Sequence, residues 1–237
     1  MMPSAHPRVK GLSIISILFG AGLALTVLLE FSGLDLAVPS FFFDREAGHG
    51  GWAYGQTTLF RFLYDYGTAP TWLLALAACL ILFATFRGWI GIDYRKPCMV
   101  VILTFALGPG LIVNGVLKEF WGRARPADTI EFGGASQYQA VWPPSGPGAG
   151  KSFSSGHVAT AFALCSGASF YSLHPWLSGA ALVAGVGYGL LMGVARIAQG
   201  GHFPTDVLWS GVIVLSIFTW LHFLALRIPE RPRSTRR

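Results

Sequence analysis

ARIAQGGHFPTD (195–206) is a short charged connection between two apolar runs, residues 176–194 and 207–226. A helix needs roughly 20 apolar residues to cross a hydrocarbon core of about 30 Å, and each run is of that order. The connection therefore sits at one surface of a membrane and carries Arg196, His202 and Asp206 there. Outward from it, KSFSSGH (151–157) leads into another apolar run, and KEFWGRARP (118–126) follows one. The long stretch between these two islands is polar and rich in Gly and Pro, and a loop of that kind is usually functional.

Composition agrees with a membrane protein. Of the 237 residues, 53% are hydrophobic and 12% charged, whereas an ordinary soluble domain is roughly 25% charged. Mean hydropathy is +0.54, with eighteen Phe and eight Trp. The net charge of +6 lies in short loops and a tail between apolar runs, which fits membrane orientation rather than nucleic-acid binding. Cys79, Cys98 and Cys165 lack metal-type spacing and read as small packing residues.

Six apolar segments read as transmembrane helices, at about 11–29, 70–86, 97–117, 157–171, 176–194 and 207–226. The first follows Arg8 and Lys10 and reads as an uncleaved span. Gly108-Pro109-Gly110 predicts a kink in the third, because proline lacks the donor its helix would use. Ala181, Gly185, Gly189 and Gly193 form a stripe of small residues on the fifth, which admits a close neighbour. Residues 34–68 are too polar to span. Within them Leu59, Phe62, Leu63 and Tyr66 recur at helical spacing, giving a short interfacial helix or, alternatively, a loop folded over the bundle. The expected fold class is all-α, a polytopic membrane bundle of six transmembrane helices with an interfacial segment, and residues 1–237 form one domain.

An even number of spans puts both termini on one side. That side holds ten Lys and Arg (8, 10, 87, 95, 96, 227, 231, 233, 236 and 237), against seven on the other. Lys and Arg favour the cytoplasmic side, so the termini are expected in the cytoplasm and the three islands on the outer face. Lys118, His157, Arg196 and His202 then share that face by counting alone.

The islands carry the chemistry of phosphate handling. Ser152, Ser154 and Ser155 stand where a helix N-cap would be, and a helix N-terminus favours an anion. Pro204 suits the first turn of a helix and puts His202 just before a second such terminus. Lys118, Arg125 and Arg196 supply fixed positive charge for phosphate oxygens. One histidine attacks phosphorus, the other protonates the leaving oxygen, and an aspartate fixes the attacking ring's tautomer. His202, with Asp206 four residues on, is the natural nucleophile, and His157 the natural acid. The cations and helix ends stabilise the transferring group with no metal or cofactor called for.

The chain resembles the type 2 phosphatidic acid phosphatase superfamily, whose motifs are K-x6-RP, PSGH and SR-x5-H-x3-D. Here they are Lys118 to Arg125-Pro126, then Ser155-Gly156-His157, then Arg196, His202 and Asp206. The likeness runs from the third span onward, while the first ninety residues add only compatible apolar segments. It implies a phosphohistidine on His202, oriented by Asp206, with His157 as acid and then base. It further implies phosphate binding by Lys118, Arg125, Ser155, Gly156 and Arg196. Ser154 replaces the usual Pro and Ala195 the usual Ser, departures that bear on loop shape. The KEFWGRARP run, the EFGG after it and the aromatic first loop are similar to bacterial lipid A phosphatases. This implies a metal-independent phosphoric monoester hydrolase acting on a phosphorylated lipid at the outer face of a bacterial inner membrane. Phosphatidylglycerophosphate, phosphatidate and polyprenyl diphosphate are alternative substrates, and a transporter is the alternative of another class.

His6, His49, His174 and His222 read as structural. Arg123 is assigned either to phosphate or to the surface, and Asn114 to a hydrogen bond within the bundle. Residues 145–152, SGPGAGKS, come close to a nucleotide-binding loop, but the first glycine is replaced by Ser145 and no strand precedes them.

Overall fold

The computed structural model describes residues 7–226. His6 and the arginines from Arg227 onward, which entered the charge count, lie outside the described residues. The described chain is helical, with no strand among its residues. In order come α1 (Pro7–Phe31), α2 (Leu34–Ser40), α3 (Thr58–Tyr66), α4 (Ala69–Phe86), α5 (Arg95–Phe105), α6 (Lys118–Phe120), α7 (Gly156–Phe162), α8 (Pro175–Ala198) and α9 (Pro204–Thr219). Counting α3 with α4, and α5 with α6, as continuous helices, five among the described residues are long and apolar enough to cross a membrane.

The segment expected as a fourth span is not among those five. It is α-helical only over α7 and continues as a tighter 3-10 helix, Ala163–Ser172. Its position explains its modest length and hydropathy. α7 and its continuation pack against α4, α5, α8 and α9, and Val158, Ala159 and Ala161 are fully buried. A helix surrounded by protein needs small, close-packing residues rather than an apolar face for lipid. α1 is the opposite case, with Leu12, Ile17, Leu23, Val27 and Leu28 all exposed, as befits a peripheral membrane helix.

Because lipid is as apolar as leucine, helices in a bilayer associate through close packing and interhelical hydrogen bonds. Both are present. A Cβ added at Gly185 would strike Cys165, one at Gly189 the Phe162 ring, and one at Gly193 the Val207 side chain. The stripe on α8 is therefore the seat of α7, its continuation and α9. Thr71 donates to Thr160 O at 2.7 Å, Ser169 to Pro97 O at 3.1 Å, and Trp209 to Thr26 Oγ1 at 3.0 Å. Gly185→Ala should cost about 1–3 kcal/mol by overpacking. Its Cβ meets the Cys165 backbone, which cannot swing aside. Thermal unfolding in detergent checks this, and an unchanged midpoint would show that α8 and the 3-10 segment are loosely apposed.

Pro109 produces something broader than a kink. All of Ala106–Leu117 is wound as π-helix, a wider turn that accommodates the missing donor. Asn114 Nδ2 donates to Pro109 O at 2.7 Å, the intrabundle bond expected of it. In 34–68 the structure has α2, two short 3-10 turns and α3. Leu63 is buried in the main core while Leu59, Phe62 and Tyr66 face outward. One correction concerns the cysteines: Cys98 and Cys165 are buried, but Cys79 is exposed on α4.

Candidate active site

Four helix ends meet around the histidines: the ends of α6 and α8 and the starts of α7 and α9. Ser155 is the N-cap of α7, its hydroxyl accepting from Val158 N and its own amide donating to Ser210 Oγ at 2.9 Å. Gly156 follows because a Cβ there would collide with the Asn114 amide. Pro204 opens α9, and Asp206 in its first turn accepts from Phe203 N at 2.8 Å, closing the helix start.

His202 lies just outside α9 and is 2% exposed. Its Nδ1 is 2.7 Å from Ser152 O. A carbonyl only accepts, so Nδ1 carries the proton and Nε2 keeps its lone pair. Asp206 lies beside the same ring at ion-pair distance, its Oδ2 3.8 Å from Nδ1, too far for a hydrogen bond. The same oxygen accepts a hydrogen bond from the Ser152 hydroxyl at 2.6 Å. The expected aspartate–histidine pair is thus joined by a relay in which Asp206 fixes Ser152 and the Ser152 carbonyl fixes His202. Burial pushes the His202 pKa down to about 4, against the opposing pull of the Asp206 carboxylate.

Arg123 is neither at the surface nor free for phosphate. It is 1% exposed, and its guanidinium donates to Asp206 Oδ1 at 2.6 Å, Asp35 Oδ2 at 2.6 Å, Thr205 Oγ1 at 2.7 Å and Gln139 O at 2.9 Å. It also lies over the Phe203 ring at 4.4 Å. Burial alone would lower its pKa, but the Asp206 and Asp35 carboxylates outweigh this and raise it. Asp35, on α2, is fully buried and accepts further from Thr205 N at 2.9 Å and the Tyr138 hydroxyl at 3.0 Å. Burial and the Asp35 charge together raise the Tyr138 pKa. Asp35, Arg123 and Asp206 form one buried ionic chain leading through Ser152 to His202.

His157, half-buried at the start of α7, stacks on Tyr64 with centroids 5.0 Å apart and planes 16° from parallel. The Arg196 guanidinium sits over the same Tyr64 ring at 4.7 Å. Arg196 also donates to Gln199 Oε1, and Gln199 Nε2 donates to Phe60 O at 2.9 Å. This ties the end of α8 to the first turn of α3. Lys118 is half-buried and Arg125 exposed. The charges of Arg196 and Lys118 act on both histidines, and that of Arg125 acts on Lys118 and Arg196. The fold thus brings the eight residues singled out from sequence to one end of the bundle.

Asp35, Tyr64 and Gln199 were not singled out from sequence, and Ser152, read as part of a helix cap, instead joins Asp206 to His202. Asp35 carried a signal: a carboxylate flanked by leucines in LDLAVPS (34–40) must find a cation if it is buried. Tyr64 carried none, since an aromatic in an apolar helix is ordinary. Lys151 is paired at the surface with Glu119 at 2.7 Å, and residues 145–152 form no strand-to-helix phosphate loop. Among the described residues no three His, Cys, Asp or Glu converge as metal ligands would.

Comparison with known proteins defines the class. Residues 99–229 match the PAP2 superfamily, and the chain belongs to that superfamily. It is a phosphoric monoester hydrolase. The chain is similar to the lipid A 4'-phosphatase of Francisella tularensis subsp. novicida, 30% identical over 81% of this chain and 86% of that one. It is likewise 30% identical to the lipid A 4'-phosphatase of Rhizobium leguminosarum, over 83% and 89% of the two chains. The lipid A 1-phosphatase of Rhizobium etli is 31% identical over 73% of each. No solved structure gives a significant match.

Proposed function

We propose that this chain is a bacterial membrane lipid phosphatase that removes a phosphate monoester from lipid A through a phosphohistidine on His202. The observation that carries the mechanism is the Nδ1 contact of His202 to the Ser152 carbonyl, which leaves Nε2 as an aimed lone pair. Nε2 attacks phosphorus as the ester P–O bond breaks, and His157, protonated once the phosphate anion lies between it and the Arg196 and Lys118 charges, gives that proton to the departing alkoxide. His157 then takes a proton from water as that water attacks phosphorus, and the P–N bond breaks to release phosphate and neutral His202. Lys118, Arg125, Arg196 and the Ser155–Gly156 start of α7 hold the phosphate oxygens. Arg196 Nε and Ser154 Oγ are buried without a hydrogen-bond partner among the described residues. They supply unspent donors at an oxygen-rich ligand.

In this reading the protein is a single membrane-embedded domain. The 156–172 segment is the fourth of six spans, the termini are cytoplasmic, the site faces the periplasm, and α3 lies toward the interface. The similarity to lipid A phosphatases favours lipid A over phosphatidate, phosphatidylglycerophosphate or polyprenyl diphosphate. Release of phosphate from that panel by purified protein tests the substrate. Fastest turnover of a lipid other than lipid A would replace it, and transport without hydrolysis would replace the class.

The state of His202 gives a pH prediction. Its lowered pKa means that the neutral, attacking form persists until pH falls to about 4. With an aryl phosphate, whose leaving group needs no acid, the enzyme's contribution to kcat/KM should hold from about pH 7 to about pH 5 and then fall. An acid limb centred at about 6.5, the unperturbed histidine value, would mean a water-exposed ring.

A further inference from the structure

Beside the phosphate site lies a cleft of about 300 Å³, lined by Gln56, Arg61, Tyr64, Asp65, Arg196 and Gln199. We infer that this cleft receives the alcohol part of the substrate, and that it is built for a sugar ring rather than for glycerol or a polyprenyl chain. The inference rests on the phosphatase reading above and adds to it the residues that choose the headgroup.

The placement comes first. The cleft shares Tyr64 and Arg196 with the reaction site, and Tyr64 is stacked on His157. His157 meets the leaving oxygen in the proposed reaction, so the group attached to that oxygen lies on the Tyr64 side. α3 explains the local design. Arg61, Tyr64 and Asp65 are spaced i, i+3 and i+4, which sets them on one face of that helix. Leu63 is turned to the core instead and is 4% exposed.

The lining decides the ligand class. A volume of about 300 Å³ is at the lower end for small-molecule sites, room for one ring rather than a whole lipid. The walls are a carboxylate, two guanidinium groups, two carboxamides and one aromatic face, with no aliphatic side chain. An acyl or prenyl chain finds nothing apolar to cover it. A ring with several hydroxyls finds acceptors, donors and a flat face for its C–H groups, as a sugar requires. Gln199 is already tied to Arg196 and Phe60 O. The exposed side chains of Gln56, Arg61 and Asp65 make no hydrogen bond or ion pair among the described residues, which leaves them for a ligand.

The test measures kcat/KM of full-length Asp65→Asn and Arg61→Gln in detergent micelles, on a lipid-linked sugar 1-phosphate monoester and on phosphatidate. The ratio of the first to the second should fall roughly tenfold in each variant, since each loses a charge-assisted hydrogen bond to the sugar. A ratio unchanged from that of the unsubstituted protein would overturn the inference while leaving the phosphatase reading intact. Failure of the unsubstituted protein to hydrolyse either lipid would overturn both. Size-exclusion profiles and phosphatidate turnover distinguish a folded variant from a collapsed one. If Asp65→Asn does not fold, Arg61→Gln decides alone.

Discussion

His202→Ala should lower kcat by at least about 10⁴-fold, to a level set by whatever water attack the site still supports. Several features of the ring make this the largest effect expected. It is buried, held through Nδ1 by the Ser152 carbonyl, and neutral at working pH because burial disfavours its charged form. Alanine removes the nitrogen proposed to attack phosphorus. His157→Ala should behave differently. With a lipid ester, loss of the proton donor slows departure of the alkoxide, a step in which general acids typically contribute 10²–10⁴-fold. With an aryl phosphate the first step needs no acid, so His157→Ala should accumulate phosphoenzyme because water is no longer activated. Full activity in either variant would remove that residue from the mechanism, and equal losses on both substrate types would remove the division of labour.

The second large effect concerns stability. Arg123→Ala should destabilise the fold by about 3–5 kcal/mol, because it leaves buried carboxylates without their cation. Those carboxylates are Asp35 and Asp206, each 2.6 Å from the guanidinium. A net stability of only about 5–15 kcal/mol makes such a loss large, and folded yield should fall with it. Asp35→Ala should cost a comparable amount, and Asp35→Asn less, since the amide keeps the shape and part of the hydrogen bonding. In a double-mutant cycle the two alanine changes should be strongly non-additive, as expected of groups in one network. Thermal unfolding in detergent reads all of this. Costs below about 1 kcal/mol with additive behaviour would place the pair in the class of exposed ion pairs. Any active Asp35→Asn protein should also show a changed pH profile, because Asp35 acts on His202 through Arg123, Asp206 and Ser152.

How much of this was legible beforehand depends on the kind of information each residue carries. His157, His202 and Asp206 stood out as candidates because they fall at the motif spacings of the resemblance, beside apolar runs. The packing role of Gly185, Gly189 and Gly193 followed from period alone. Period also suggested a helix around Leu63, and one is present as α3. What local sequence could not supply was partners distant along the chain. Arg123 looked like one more surface or phosphate-binding arginine until Asp35 arrived from α2. Asp206 sits four residues after His202, so direct contact was the simplest inference. The first turn of α9 keeps that carboxylate 3.8 Å from the ring and gives its hydrogen bonds to Phe203 N, Ser152 and Arg123. The short 156–172 helix was less apolar than its neighbours for a tertiary reason, since it is walled by protein on several sides.

A chemical trap of the covalent intermediate tests the central claim most directly. Purified protein is mixed with a lipid monoester carrying radiolabelled phosphate, quenched in alkali, digested and mapped. Acid-labile, alkali-stable label on the peptide containing His202, absent from His202→Ala, is the predicted result. Turnover without any protein-bound phosphate under conditions that trap a burst, or label on another residue, would contradict it.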